Sequence, residues 1–518
     1  MIEPDERSDM MHHVMQYLEQ SAHRFPKQVA VIDEHGSCTF SELRKRSLDV
    51  AAVFLNKGIT RQPIIVLMEK CREALYAFFG ISYTLNYYTL LNPELPEQRL
   101  CQIQEILQAR YVVTDLQHYE LAKRLFTNGE ILLIEKTPEA SKEDTQHVLE
   151  KMERHVDIDP LYIHFTSGST GVPKGVVVSH QSVIEFIDIF TQTFRLGPND
   201  RIGNQAPFDF DVSVKDIYSC LKVGATLVII PRRHFSNPTA LMDYLCDQGI
   251  TTLIWAVSAL SLICIFHGLR YRIPKTITKV MFSGEVMPLK HLKQWQDALP
   301  EAMFVNLYGP TEVTCNCTYH IVDPLRDYEK GIPIGRPFMN EAVFLLAADG
   351  TQITTAYQTG EIVVRGRCLA LGYYHQTEET AKHFIQNPLC SQYPERVYLT
   401  GDLGYYNEQG ELVYAGRKDF QIKYLGHRIE LEEIERQVLT IHEVTACCCL
   451  FEPQKKKLYG FYVGNLSPAN LVRTLRTYLP AYMIPGQMIK LEKLPLSKNG
   501  KTDRQALKRR LTGESETV

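Results

Sequence analysis

The chain has 518 residues, of which 45% are hydrophobic and 22% charged, a composition typical of a globular protein large enough for more than one packed unit. Its formal net charge of −4 supplies no overall basic field of the kind that attracts nucleic acid, so a dedicated nucleic-acid-binding function is not indicated. The acidic N-terminus and the absence of an apolar stretch long enough to span a bilayer predict a cytoplasmic protein without a membrane span.

Alternating strand and helix patterns in the first part of the chain predict βαβ units and mostly parallel sheets. Strands are predicted at residues 64–68, 111–114, 131–134, 161–166 and 226–230, and helices at 40–55 and 96–108. Residues 253–266 are apolar and predict a buried strand that continues into a helix. Between residues 332 and 414 the strands are shorter and separated by turn residues, as in a small antiparallel or barrel-like unit.

The last hundred residues predict a separate small α+β domain after a charged, turn-rich break at 416–420. The patterns there predict a helix at 430–439, strands at 445–451 and 458–463, and a helix at 468–478. The fold class is therefore multi-domain α/β. Residues 1–418 form a large N-terminal core with a barrel-like β unit, and residues 419–518 form the C-terminal domain.

The thirteen cysteines follow no repeated spacing, which predicts reduced thiols and not a disulfide framework. Neither the pair Cys315 and Cys317 nor the run 447–449 has the companion ligands that a zinc site needs. The run lies among apolar residues, so we expect it in a buried strand.

A loop rich in Ser, Thr and Gly follows the predicted strand at 161–166, where residues 164–175 read HFTSGSTGVPKG. Glycines let backbone N–H groups approach phosphate oxygens closely, and Lys174 adds a positive charge. A Walker loop needs Gly before this lysine and Ser or Thr after it, whereas Pro173 and Gly175 stand there. Composition alone fits either a phosphate-binding loop or a flexible surface loop.

Further motifs follow this loop in a fixed order along the chain. Residues 306–312 read NLYGPTE, 398–403 read YLTGDL, 416–423 read GRKDFQIK and 494–504 read LPLSKNGKTDR, with an earlier match at 91–100. Together with FTSGSTGVPKG, this set resembles the adenylate-forming superfamily, which includes acyl-CoA ligases, luciferases and the adenylation domains of nonribosomal peptide synthetases. The resemblance covers nearly the whole chain, from about Thr39 to Arg504.

The resemblance implies a site for ATP and Mg²⁺. In it, Tyr308 would stack on adenine, and Asp402 would accept both ribose hydroxyls. The catalytic residues would be Thr311, which would bind the α-phosphate, Glu312, which would hold the magnesium ion, and Lys501, which would bridge the attacking carboxylate and the α-phosphate. The full set of implied nucleotide-binding residues is Thr166, Ser167, Gly168, Ser169, Thr170, Lys174, Asn306, Tyr308, Gly309, Asp402 and Arg417.

The resemblance also implies a reaction in two halves. A carboxylate attacks the α-phosphorus of ATP, pyrophosphate leaves, and a thiol then attacks the acyl-adenylate. The C-terminal domain would rotate about a hinge at Asp419 between the two steps. Rotation would withdraw Lys501 and bring the face around Lys423 and Gly426 toward the adenylate.

Asp211, in the sequence FDVS, matches the position at which amino-acid-activating members of the superfamily place an aspartate for the substrate ammonium. Asp209 is a competing candidate. Lys215 matches a position that selects the substrate side chain, where it would pair with an acidic side chain or a polar group; a pair with Asp216 is the alternative. The other substrate-binding residues implied by the resemblance are Val212, Trp255, Met281, Ser283, Leu307, Cys315 and Asn316.

Residues 210–218 and 282–288 are most similar to free-standing D-alanine–carrier-protein ligases, although those typically carry Cys in place of Ser283 and an apolar residue in place of Lys215. We therefore expect activation of a small amino acid and its transfer to the phosphopantetheine thiol of a separate carrier protein, or to coenzyme A, since no carrier domain follows the Lys501 motif. An acyl-CoA ligase for a non-amino acid is the alternative enzyme. A catalytically idle scaffold would not require the retained motif residues. The position of His427 usually holds another residue in the superfamily, and the sequence gives no physical reason for the histidine.

Overall fold

The structure, a computed structural model, describes residues 11–168, 172–453, 455–495 and 502–512. The chain divides into two compact units. Unit 1 contains Met1–Pro93, Leu107–His164 and Gly175–Lys418, and unit 2 contains Glu94–Ile106, Phe165–Lys174 and Asp419–Val518. The assignment of 1–418 and 419–518 to a binding core and a mobile domain stays a prediction.

The secondary structure up to residue 418 alternates between strands and helices. The strands are β1 Val29–Asp33, β2 Gly36–Thr39, β3 Pro63–Leu67, β4 Tyr87–Leu91, β5 Tyr111–Thr114, β6 Glu130–Leu133, β7 Pro160–Thr166, β8 Lys174–Ser179, β9 Arg201–Asn204, β10 Thr226–Ile229, β11 Thr252–Ala256, β12 Lys279–Ser283, β13 Met303–Tyr308, β14 Thr318–Ile321, β15 Arg336–Pro337, β16 Glu341–Leu346, β17 Gln352–Ile353, β18 Gly360–Gly366, β19 Gly372–Tyr373, β20 Phe384–Gln386, β21 Arg396–Tyr406 and β22 Leu412–Arg417. The helices are α1 Met15–Arg24, α2 Phe40–Asn56, α3 Arg72–Ser82, α4 Glu97–Leu107, α5 Tyr119–Leu125, α6 Lys142–Met152, α7 His180–Thr193, α8 Val212–Val223, α9 Pro238–Asp247, α10 Val257–Ile265, α11 Gly268–Tyr271, α12 Leu289–Ala298 and α13 Thr377–His383.

Three sheets organise unit 1. The first has nine strands in the order β15-β14-β13-β12-β11-β9-β10-β1-β2 and is parallel from β13 to β1. The second has the order β19-β8-β7-β4-β3-β5-β6, in which β7-β4-β3-β5-β6 are parallel. The third contains β16 to β18 and β20 to β22 and is antiparallel. The predicted α/β class, with mostly parallel sheets and a small antiparallel unit, is confirmed.

Burial on both faces explains why the parallel strands are apolar along their whole length. Every residue of β3 (sequence PIIVL) is buried, as expected for a strand covered on both sides. Side chains of β11 alternate between two cores, with Ile254 in one apolar cluster and Trp255 in another. The predicted passage from strand to helix within 253–266 is confirmed, because α10 follows β11 without a gap.

One predicted boundary is wrong. The charged break expected at 416–420 begins only at Lys418, because Gly416 and Arg417 belong to β22. In that strand Arg417 lies directly opposite Asp402 of β21. A pairing with a residue fifteen positions earlier overrides the local turn propensity of this segment.

Residues from 419 onward form strands β23 Gln421–Tyr424, β24 His427–Glu430, β25 Val444–Glu452, β26 Lys457–Gly464 and β27 Gln487–Lys490, and helices α14 Leu431–Leu439, α15 Pro468–Leu475 and α16 Arg504–Thr512. β25, β26 and β27 form one sheet and β23 and β24 form a hairpin. As expected, residues 447–449 lie in a strand, β25, and Cys448 and Cys449 are buried there. Arg99 of α4 also belongs to unit 2, where it forms an ion pair with the buried Glu433 of α14. The distance from its Nη1 to Oε1 of Glu433 is 2.7 Å.

Among the described residues, no helix is both long and apolar enough to cross a bilayer.

Three buried histidines of unit 1 pack against one another. The ring centroid of His13 lies 4.3 Å from that of His155 and 4.1 Å from that of His180. The backbone N–H of Leu85 donates to Nε2 of His155 at 2.8 Å, and that of Val14 donates to Nδ1 of His180 at 3.3 Å. These bonds occupy one lone pair on each ring, so the cluster is suited to neutral imidazoles.

Burial is the main cause that lowers the pKa of all three rings, and it lowers the pKa of His155 to about 3. The positive groups of His12, Arg61 and Lys151 act in the same direction on His155. The folded protein therefore binds fewer protons than the unfolded chain below the ordinary histidine pKa of about 6.5.

Above pH 7 these histidines should not make the free energy of unfolding depend on pH. Below about pH 6.5 that free energy should fall, by up to about 1.4 kcal/mol per pH unit for each histidine. His155→Gln keeps an acceptor for the N–H of Leu85 but cannot be protonated, so it should make the pH dependence shallower by about one proton. Urea unfolding at pH 7.5, 6.5 and 5.5 measures this, with the exposed His147→Gln on α6 as the matched control. Equal slopes for wild type and His155→Gln would contradict the assignment.

Candidate functional site

The candidate substrate residues lie at one edge of the nine-stranded sheet. Parallel strands β9, β11, β12 and β13 all end at this edge, which is where open α/β sheets bind ligands. The register places Ala256, Ser283 and Leu307 side by side at the ends of β11, β12 and β13. Met281 lies on the same face, two residues further back along β12.

The loop after β13 turns sharply back toward the sheet. The N–H of Cys317 donates to the carbonyl of Tyr308 at 2.8 Å, and Thr314 and Cys315 adopt left-handed φ values of 53° and 75°. A Cβ on Gly309 would lie 2.5 Å from Cα of Asn316, so only glycine permits this approach. The structure therefore assigns Gly309 a backbone role.

This loop contacts the start of α8, which carries the other substrate candidates. The Cys315 thiol donates to the carbonyl of Asp211 at 3.1 Å. Nζ of Lys215 donates to Oδ1 of Asn316 at 2.6 Å. Asp211 and Val212 are partly exposed, whereas Lys215 is fully buried, and burial lowers the pKa of its ammonium group.

Asp209 and Asp211 differ in their surroundings. Burial raises the pKa of Asp209 to about 6, and its Oδ1 has no hydrogen-bond partner in the part of the chain that the structure describes. Asp211 directly precedes α8, where the positive end of the helix dipole stabilises a carboxylate. Burial thus disfavours the charged form of Asp209.

Trp255 is not brought together with the other substrate candidates. Its indole N–H donates to the carbonyl of Gly203 at 2.7 Å, and its ring packs against Phe235 in the second apolar core. Met281 and Ser283 project from the opposite face of the sheet. Ala256, the next residue along β11, occupies the position beside Ser283.

Asp402 connects two other candidate nucleotide residues, Tyr308 and Arg417. Its Oδ2 accepts a hydrogen bond from the Tyr308 hydroxyl at 2.6 Å, and its Oδ1 accepts one from Nη1 of Arg417 at 2.6 Å. The carboxylate is buried, and the Thr400 hydroxyl accepts a bond from the backbone N–H of Asp402 at 3.0 Å. Burial, followed by the charge of Asp402, raises the pKa of Tyr308 well above its ordinary value.

Glu312, four residues after Tyr308, is buried. Its Oε1 accepts a hydrogen bond from the Tyr373 hydroxyl at 2.8 Å, and its backbone carbonyl accepts one from Ala370 at 2.9 Å. Thr311 precedes it and is partly exposed. Asn306 is tied to the backbone, since its Nδ2 donates to the carbonyl of Pro333 at 2.9 Å.

The remaining candidates belong to unit 2. In the Ser/Thr/Gly loop, the Ser167 hydroxyl donates to the carbonyl of Arg428 at 2.8 Å, and Thr166, Gly168 and Lys174 are buried or partly buried. Asp419 is exposed and its Oδ1 accepts a bond from the N–H of Gln421 at 3.1 Å. Ser169, Thr170 and Lys501 lie outside the described residues.

Lys423 and Gly426 lie in the β23–β24 hairpin. Leu425 and Gly426 have φ values of 52° and 82°, which is the backbone of a two-residue hairpin turn. His427, which had no explanation from the sequence, stacks on Tyr482, with ring centroids 3.5 Å apart.

Two groups of residues near the site were not predicted. Tyr373 fixes Glu312 from a strand sixty-one residues later. Lys70 and Asn204 hold Asp216, through a bond from Nζ of Lys70 to Oδ1 of Asn204 at 3.1 Å and one from Nδ2 of Asn204 to Oδ2 of Asp216 at 2.7 Å. An isolated tyrosine or lysine gives no pattern from which such long-range contacts follow.

Comparison with known proteins identifies the family of the chain. The family model of AMP-binding enzymes matches residues 18–374. The chain is 32% identical to tyrocidine synthase 3 of Brevibacillus parabrevis over 95% of its own length, but spans only 8% of that synthase. It is 29% identical to zwittermicin A synthase ZmaJ of Bacillus cereus, over 95% of this chain and 94% of that one.

A solved structure has the same fold. The Vibrio cholerae adenylation domain AlmE, in complex with glycyl-adenosine-5′-phosphate, superposes with a TM-score of 0.84 over 97% of this chain and 98% of that one, at 21% identity. The chain belongs to the family of AMP-binding enzymes, within the adenylate-forming superfamily.

The Asp402 contacts predict a graded loss of stability. Asp402→Asn should lower the free energy of unfolding by about 3–5 kcal/mol, because it leaves the Arg417 guanidinium buried without its carboxylate. Tyr308→Phe removes one hydrogen bond and should cost only about 1 kcal/mol. Urea unfolding measures both, with Glu120→Gln in the exposed Lys123 ion pair as a control that should change little. A loss for Asp402→Asn no larger than the control's would show that the pair contributes nothing.

Proposed function

We propose that this protein activates an amino acid with ATP in the cytoplasm and passes the aminoacyl group to the phosphopantetheine thiol of a carrier protein. The observation that carries the proposal is the contact between the loop after β13 and the start of α8. That contact places Asp211, the candidate partner of a substrate ammonium, next to the segment that holds Tyr308 and Glu312. The membership in the AMP-binding family supports the nucleotide half of the reaction.

Asp402 would bind the ribose of ATP. An ionised carboxylate has about four lone-pair sites, of which Arg417 and Tyr308 each use one, so acceptor capacity remains for hydroxyl groups. Because both partners fix its orientation, Asp402 would meet the ribose in a prepared geometry. The hydrogen bond from the Tyr308 hydroxyl to Asp402 also orients the ring of Tyr308 for stacking on the adenine.

Glu312 is suited to hold a magnesium ion. A carboxylate oxygen is the ligand type that Mg²⁺ prefers, and the bond from Tyr373 fixes one oxygen of Glu312. A bound Mg²⁺ would neutralise charge on the phosphate groups. Thr311 would donate to the α-phosphate, and Lys501 would approach the carboxylate and the α-phosphate together.

The proposed chemistry has two balanced steps. In the first, a carboxylate oxygen of the amino acid forms a bond to the α-phosphorus, and the bond from that phosphorus to pyrophosphate breaks. In the second, a thiolate sulfur forms a bond to the acyl carbon and AMP leaves with the electron pair. The proton lost by the thiol passes to solvent. Coenzyme A could supply the same thiol chemistry, and acyl transfer assays with each acceptor distinguish the two.

Asp211→Ala should lower kcat/KM for amino-acid-dependent ATP–pyrophosphate exchange by about 100-fold or more, because the ammonium loses a charge-assisted partner. The matched control is Asp209→Ala, which removes the neighbouring carboxylate and should retain exchange within about tenfold. Exchange is measured over L- and D-amino acids and several simple carboxylic acids. Retained selectivity in Asp211→Ala, or activity with fatty or aryl acids only, would contradict the proposal and favour an acyl-CoA ligase.

Lys501→Ala should slow adenylate formation by about 100-fold or more and leave ATP binding nearly unchanged, because the charge of Lys501 acts mainly in the transition state. Single-turnover formation of the adenylate and equilibrium binding of ATP separate the two effects. The matched control is Lys493→Ala, an exposed lysine nearby in the sequence. Unchanged adenylate formation in Lys501→Ala would show that this lysine is not catalytic.

A further inference from the structure

Among the residues that the structure describes, no carboxylate forms an ion pair with the buried Lys215. Burial lowers the pKa of its ammonium group, and Cys315, Asp211 and Asp216 act through space in the opposite direction. Lys215 is 0% exposed, and its ammonium donates to one neutral acceptor, the amide oxygen of Asn316. An ammonium has three N–H donors, so two remain for another group. Burying a charge without a direct ion pair is unfavourable, and an anion that binds beside Lys215 would reduce this cost.

The adjacent aspartate, Asp216, acts on Lys215 through space but forms no hydrogen bond or ion pair with it. Asp216 instead accepts a bond from Asn204, which itself is held by Lys70. Consecutive helix residues point in different directions, so the side chains of Lys215 and Asp216 leave α8 on different sides. The direct hydrogen bond of Asp216 is therefore to Asn204, and the two remaining N–H donors of Lys215 are not used by Asp216.

Helix geometry relates Lys215 to Asp211. The two are four residues apart, so they lie on the same face of α8, separated by about 6 Å along the helix axis. Asp211 is partly exposed, whereas Lys215 is buried one turn further along. Cys315 and Asn316, which are consecutive, contact Asp211 and Lys215 respectively. The loop after β13 thus contacts both Asp211 and Lys215.

We propose that the amino acid activated here has an acidic side chain, with its ammonium at Asp211 and its side-chain carboxylate at Lys215, where Asn316 holds the lysine in place. This inference rests on the proposed amino-acid activation. The axial spacing suits a molecule of the size of aspartate or glutamate. A neutral side chain would leave the buried ammonium without an anion, and the site would therefore reject it.

ATP–pyrophosphate exchange of the wild-type protein tests the ranking. The panel contains both enantiomers of aspartate, glutamate, asparagine, glutamine, alanine and leucine. One acidic amino acid is expected to have the highest kcat/KM, exceeding its amide by about 100-fold or more. An amide or an apolar amino acid at the top of the ranking would overturn the inference.

Variants of α8 test the role of Lys215. Lys215→Met should lower kcat/KM for the acidic amino acid by about 100-fold or more and should raise the relative rate with glutamine or leucine. Lys215→Arg keeps the charge and should keep the acid preference. The matched control is Lys222→Met on the same helix, where the lysine contacts Asp188, and its selectivity should equal that of wild type.

The outcomes separate the two proposals. If alanine is preferred and Lys215→Met leaves the preference unchanged, the acidic substrate is wrong while amino-acid activation stands. If only non-amino acids support exchange, both are wrong. If Lys215→Met does not fold, the wild-type ranking and Lys215→Arg still decide the question.

Discussion

The close approach of Gly309 to the backbone of Asn316 is the constraint on which the candidate site depends. With 2.5 Å between a Cβ on Gly309 and Cα of Asn316, the loop closes only because glycine stands there. Its closure places Tyr308 and Glu312 on one side and Cys315 and Asn316 on the other, within nine residues of chain. The residues that we propose for nucleotide binding and for substrate recognition are thereby tied to a single backbone turn at the carboxyl edge of a parallel sheet.

Two buried sites of unit 1 treat charge differently. Asp402 and Arg417 form a pair in which a tyrosine hydroxyl completes the hydrogen bonding, so the cost of desolvation is offset within the protein. Among the described residues, Lys215 donates only to a neutral acceptor, and Asp211 and Asp216 act on its charge only through space. Fully paired groups hold a structure in place, whereas a cation that has lost water without gaining an anion is prepared for a ligand.

Sequence patterns predicted what depends on neighbours in the chain. The strand at 111–114 and the passage from β11 to α10 follow from apolar periodicity alone. Trp255 shows where prediction from sequence fails. Successive strand residues point to opposite faces of the sheet, so an alignment that is uncertain by one residue predicts the wrong face, and Trp255 lies in the second apolar core. The contact of Tyr373 with Glu312 was not predictable, because it joins distant segments through topology.

The histidine cluster has a consequence for folding during synthesis. Val14, just before α1, donates to His180, which is 166 residues further along the chain. At a translation rate of about 5–20 residues per second, roughly 8 to 33 seconds separate the synthesis of these two residues. Helix α2, which packs against α1, is made soon after it, but α8, the other helix that packs against α1, follows only after His180. Part of the apolar surface of α1 is therefore covered late in synthesis, and a chaperone could bind it until then.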